Sequence, residues 1–212
     1  MPVVNVKKLP MQTTAVQLIP TQTEGEHNDV ESMVICASAE EAHSLYSLAK
    51  DRLKSISNWH EFVGQLGTTF GITDAQGNET YKIAEEGDIF YIDMPGPGSI
   101  AGSGYDWVRI EKLAEHVDGD QEYIVIAVRP IDNPKKHDAG TAHFFSHKST
   151  NTFIAERYGN QVTTGVYGRN EMPNTEGNII DKVRNIAVGL AARHGLSGPH
   201  WQIFAQNILK TE

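Results

Sequence analysis

Between residues 68 and 171 the apolar side chains recur mostly with a period of two, and this run constrains the fold more than anything else in the chain. Its clearest unit is the pair of segments 152–158 and 161–169 around Gly159-Asn160, a two-residue turn suited to a twisted hairpin. Counting outward from the turn sets Arg157 opposite Val162, Ala155 opposite Thr164 and Phe153 opposite Val166. That face is mostly apolar and should look inward, leaving Glu156, Thr163, Tyr167 and Arg169 on the other. The same pattern predicts strands over 88–94, 105–113 and 122–129. In 105–113, Val108 and Ile110 share one face, and Trp107, Arg109 and Glu111 the other. It further predicts a hairpin of 69–73 with 79–83 across the turn segment 74–78, and a strand over 143–147.

The flanks read as helices. Residues 178–193 (NIIDKVRNIAVGLAAR) place Ile179, Val183, Ile186 and Leu190 on one apolar stripe, with Asn178 to cap the start and Gly195 beyond the end. Such a helix spans about 24 Å, enough to cross a sheet. Ser38 with Glu41 three residues later forms a capping box, opening a helix that buries Ala42, Leu45, Ala49, Leu53 and Ile56. A shorter helical piece over 58–66 turns Trp59, Phe62, Val63 and Leu66 inward, and a terminal piece spaces Trp201, Phe204 and Ile208 helically. Residues 33–37 (MVICA) read as a short buried strand. Residues 1–30, with Pro10, Pro20 and the polar run TQTEGEHND, read as an N-terminal arm or linker, and 31–212 as a single α+β domain.

Composition removes several classes of function. A net charge of -9 disfavours a general nucleic-acid binder and an anionic membrane surface, because both demand basic patches. A single cysteine, Cys36, provides neither an internal disulfide nor a thiol-rich metal site. No apolar run reaches the roughly 20 residues of a membrane span. The expectation is a cytoplasmic protein with no nucleic-acid partner, no membrane span and no cofactor, and with a homodimer left open.

The order of strand, two helices, long antiparallel run and long C-terminal helix resembles the helix-grip fold of the START and Bet v1-like superfamily. There a curved antiparallel sheet wraps the final helix. The resemblance covers residues 33 to about 194 and rests on element order, without a diagnostic motif. The N-terminal arm and the helical piece after Gly195 depart from it. It implies a cavity between sheet and helix that holds a small, largely apolar ligand.

Candidate site residues follow from the residues themselves. On either sheet face the ligand contacts would be Phe153, Val166 and Ile124, or Trp107 and Tyr167, with Arg169 and Glu171 in the polar stretch YGRNEMPN at a polar cavity end where Arg169 holds a carboxylate or phosphate group. The bland reading of Arg169 and Glu171 is a mutual ion pair at a strand end. Asp106 with Glu111 offers an acid and a base, although alternating charges on a solvated strand explain them more simply. His137, His143 and His147, joined by Asp138 or Glu156, invite a metal reading, yet their spacing matches no ligand signature and no metal is expected. The Gly/Pro-rich stretch 95–104 lacks the lysine and following helix of a phosphate loop, which leaves a wide turn or a lid. Cys36 reads as an inert buried thiol. Three functions stay open: apolar-ligand binding, a hydrolase or cyclase on the same scaffold, and a protein-interaction module with a filled core.

Overall fold

The structure, a computed structural model, describes residues 14–64, 67–94, 99–136, 140–174 and 198–211. Its strands are β1 (Glu26–Ile35), β2 (Thr69–Thr73), β3 (Ile89–Asp93), β4 (Asp106–Asp118), β5 (Gln121–Pro130), β6 (Thr150–Tyr158) and β7 (Gln161–Glu171). All pair antiparallel in one curved sheet of order β1-β7-β6-β5-β4-β3-β2. Helix α1 (Ala39–Lys54), a 3-10 helix (Ile56–Glu61) and a C-terminal helix α2 (Gly198–Ile208) pack on its inner face. A second 3-10 helix (Thr14–Leu18) lies on the outer face. The expected α+β class is therefore met, with α2 as the C-terminal helix; residues 178–193 lie outside the described residues. No described helix is long and apolar enough to cross a membrane.

The register counted from Gly159-Asn160 is the one observed: Arg157 faces Val162, Ala155 faces Thr164, and Phe153 faces Val166. Phe153, Ala155, Val162 and Val166 enter the main core, while Tyr167 belongs to an outer cluster with Val125 and Ile154. The centre of the core is Trp59, which is fully buried. Its ring meets Phe153 at 4.5 Å, Phe204 at 5.1 Å, Phe70 at 5.8 Å and Phe90 at 5.9 Å. Its indole N–H donates to the carbonyls of Arg52 and Leu53, so the 3-10 helix continues the end of α1. Ser38 caps α1 by accepting from Glu41 N–H at 3.1 Å, and the Glu41 carboxylate accepts from Ala37 N–H at 2.9 Å.

Three strand expectations change. Strand β1 starts at Glu26, well before residue 33, because it is a sheet edge on which Glu26, Asp29 and Glu31 hide any apolar alternation. Residues 79–83 do not pair along 69–73; they give a single bridge, Thr73 to Glu79, and β2 pairs with β3 over its whole length. The Asp74 carboxylate accepts from Gln76 and Asn78 N–H, both at 2.9 Å, and closes a tight turn. The chain then leaves the sheet, exposing Tyr81 and Ile83. Residues 143–147 form no strand, only a bridge from Phe145 to Pro173. At the N-terminal side, Ala15, Leu18 and Ile19 cover Val125, Ile154 and Tyr167. The Asn170 side chain ties this segment down by accepting from Thr23 N–H at 2.7 Å and Glu24 N–H at 3.1 Å.

Candidate functional site

The 3-10 helix after α1, strands β3 and β6, and helix α2 each bring one aromatic ring to one end of the inner face. Trp59, Phe90, Phe153 and Trp201 wall a recess there, and His143, Ser149 and Asn151 form its polar end. The free space is about 20 Å³, enough for one or two water molecules. Trp201 stands edge-on to Phe153 at 5.2 Å and to Phe204 at 5.5 Å, and is only partly buried. The segment carrying His143 is fixed from beneath by buried Asn174, whose amide donates to the carbonyls of Thr141 at 2.6 Å and His143 at 3.0 Å. His143 is itself buried, and its Nδ1 accepts from Phe145 N–H at 2.9 Å. A neutral ring with Nδ1 as acceptor carries its proton on Nε2.

Behind Asn151 lies Glu171. Strand alternation alone would turn it to the side of Tyr167, but Asn170 adopts a left-handed φ of 55° and the pairing with β1 slips between Glu26 and Asn28. The Glu171 carboxylate therefore folds back over Gly168, a position on the inner face opposite Asn151. A Cβ on Gly168 would collide with Glu171 Oε1 and come within 3.3 Å of Asn151 Oδ1, so the missing side chain makes the seat for this carboxyl. Glu171 is 8% exposed and makes no side-chain hydrogen bond or ion pair among the described residues. Burial pushes its carboxyl up to about 7; Arg169 pulls it down, while Glu26 and Asp29 push it further up.

The expected contact residues do not converge. Phe153 and Val166 lie in the inner core, with Ile124 alongside, and Phe153 lines the recess. Trp107, Tyr167 and Arg169 occupy the outer face. Trp107 packs with Ile89 and Ala142, and its indole N–H donates to Gly102 O at 2.9 Å. Tyr167 donates to Glu31 at 2.8 Å, and burial first, then Glu31, pushes its phenol up. Arg169 pairs with both oxygens of Asp29 and lies over the Tyr167 ring, 5.9 Å from its centre. The ion pair of Arg169 is thus with Asp29, and the chain separates it from Glu171. Asn151 and Ser149 were not among the sequence candidates. Asn151 was within reach of the pattern, since it stands two residues before Phe153 on the same face.

The remaining candidates sort into structural roles. Asp106 is buried, whereas Glu111 sits at a bulge in β4 and accepts from Arg129 Nε at 2.8 Å on the surface. Residues 99–104 form a compact turn in which Gly102 N–H donates to Ser99 Oγ at 3.0 Å and Gly104 N–H to Ser99 O at 2.7 Å. Residues 95–98, His137 and Asp138 lie outside the described residues. Among the described residues no group of three His, Cys, Asp or Glu side chains is placed to hold a metal ion. Cys36 is buried, and burial first, then Glu41, raises its thiol pKa.

No protein-family model and no curated protein matches the sequence. Solved structures with a similar chain trace include the hypothetical protein jhp0584 from Helicobacter pylori. It has 11% identity and a TM-score of 0.49, covering 99% of this chain and 97% of that one. Truncated norcoclaurine synthase from Thalictrum flavum has 11% identity and a TM-score of 0.37, covering 90% and 96%. A START superfamily protein from Mycobacterium smegmatis has 11% identity and a TM-score of 0.28, covering 79% and 97%. The architecture itself rests on the strand pairing given above.

Proposed function

We propose that the protein binds a small, largely apolar molecule in the recess between the sheet and α2, in the cytoplasm. The observation that supports this reading most is the convergence of four aromatic walls on a polar end made by His143, Ser149 and Asn151. An apolar concavity with a few placed polar groups is the usual form of a small-molecule site. A ligand of ordinary size needs roughly 300 Å³ or more, against the about 20 Å³ present. Binding therefore requires Trp201 and α2 to move outward. Native mass spectrometry of the purified protein, with identification of whatever denaturation releases, tests the reading. A stoichiometric small molecule is the expected result. An empty protein whose Trp201 fluorescence ignores a panel of apolar ligands contradicts it.

The nearly filled inner face favours a second reading, a protein-interaction module. Exposed Ile35 and Tyr158 at the hairpin end would then meet a partner or a second copy. An empty dimer of defined mass would support that alternative. The hydrolase or cyclase alternative needs titratable groups with shifted pKa in one pocket, and Glu171 is the group beside the recess that has this property.

A further inference from the structure

We propose that His43 on α1 is a reactive histidine that takes an acyl group from a neutral activated ester or anhydride, with Glu122 and Arg157 as its positioning residues. The site lies at the far end of β5 from the recess and stands apart from the binding reading. His43 Nδ1 is 2.8 Å from Glu122 Oε2, an oxygen that also accepts from Arg157 Nε. Glu122 is buried, and a carboxylate beside a guanidinium can only accept. The neutral imidazole therefore carries its proton on Nδ1 and its lone pair on Nε2. The His43 side chain is more than half exposed, and with Nδ1 turned to the sheet the open edge is the one that bears Nε2. Arg157 is tied in turn to the carbonyls of Gly159 at 3.0 Å and Gly119 at 2.9 Å, so the group that aims the ring is itself fixed. A buried carboxylate on the far nitrogen makes an imidazole more basic and stabilises the positive charge that forms as the ring is acylated.

The surroundings select the group transferred. Glu40 stands one turn before His43 on α1, and Asp120 lies 3.9 Å from Arg157 Nη1. These acids oppose an anionic phosphoryl donor and leave a neutral acyl donor unhindered. Val117 is the cross-strand partner of Glu122, shares its face and is exposed. It offers an apolar seat for the acyl chain. In the transfer, Nε2 forms a bond to the carbonyl carbon, and the bond from that carbon to the leaving oxygen breaks. The leaving oxygen keeps the bonding pair, and the Nδ1 proton passes by way of Glu122 to solvent. The product is a neutral acyl-imidazole.

The chain carries its own control. His60 is also exposed, and its Nδ1 is 2.9 Å from the Ser57 carbonyl, a neutral acceptor. The full chain is treated with diethyl pyrocarbonate at pH 8, and acylation of each histidine is followed over time by peptide mass spectrometry. His43 should be acylated about tenfold faster than His60. Glu122→Gln keeps an acceptor for Nδ1 but removes the charge, and it should bring the His43 rate down to that of His60. An unchanged His60 rate reports that the variant is folded; should it not fold, the ratio in the natural chain decides. A His43 rate equal to or below that of His60, or an advantage that survives Glu122→Gln, overturns the proposal. A histidine that only ties α1 to β5 gives one of those results.

Discussion

Two buried glutamates stand at opposite ends of the inner face, and their surroundings are opposite. Glu122 on β5 receives Arg157 Nε from the neighbouring strand and the N–H of His43 Nδ1 at 2.8 Å from α1. Burial pushes its carboxyl up, but the hydrogen bonds from His43 and Arg157 outweigh this and hold it below the usual carboxylate range. The two amino groups of Arg157 also donate to Gly159 O at 3.0 Å and Gly119 O at 2.9 Å, so one fork ties down two turns. Glu171 has burial without those partners, and its carboxyl rises to about 7. A buried charge with its partners fastens a fold; one without them is held in place by the fold.

The comparison can be broken at either end. The largest effect is expected for Arg157→Ala, which strands Glu122 with a half-exposed histidine and two turns without their donor. Removing one partner of a buried pair costs about 3–5 kcal/mol, read by urea unfolding at pH 7; a loss below about 1 kcal/mol would equate the two ends. Glu171→Gln should act with the opposite sign. Its folded-state pKa lies above the ordinary 4.5, so the unfolded chain releases the proton first. The contribution of Glu171 to stability is whole below pH 4.5 and is lost as pH rises to about 7. The glutamine variant should therefore match the natural chain at pH 4 and exceed it by about 1–3 kcal/mol at pH 8. Equal stability at both pH values would remove the contrast. Glu122 gives the converse profile: its contribution is whole above its ordinary value of 4.5 and is lost as pH falls through its lower folded value. The smallest effect is expected for His43→Ala, because the ring is 58% exposed. It should cost about 0.5–1 kcal/mol, with most of the stabilisation of Glu122 left to Arg157.

The sheet end with Glu122 was legible in the sequence and the end with Glu171 was not. Gly159-Asn160 admits one short turn, and the turn dictates every pair up to Phe153 and Val166. Alternation then assigns the faces of β6 and β7, and it reaches Asn151 by the same count. It fails at Asn170, whose left-handed backbone reverses the next side chain; asparagine tolerates that conformation, yet nothing local demands it. It fails again on β1, where pairing to β7 and cover from α2, with Gln202 donating to Glu31 O at 3.0 Å, stabilise a strand too polar to announce itself. The capping box at Ser38 and the buried stripe of α1 are local chemistry and were readable without tertiary context.

The most direct measurement is a carbon-13 NMR titration of the glutamate carboxyls. In the free protein one carboxyl should titrate near 7. Substitution to glutamine should identify it as Glu171, while Glu122 stays below the usual range. A Glu171 that titrates between 4 and 5 would contradict the account of these two carboxyls as opposite in their surroundings.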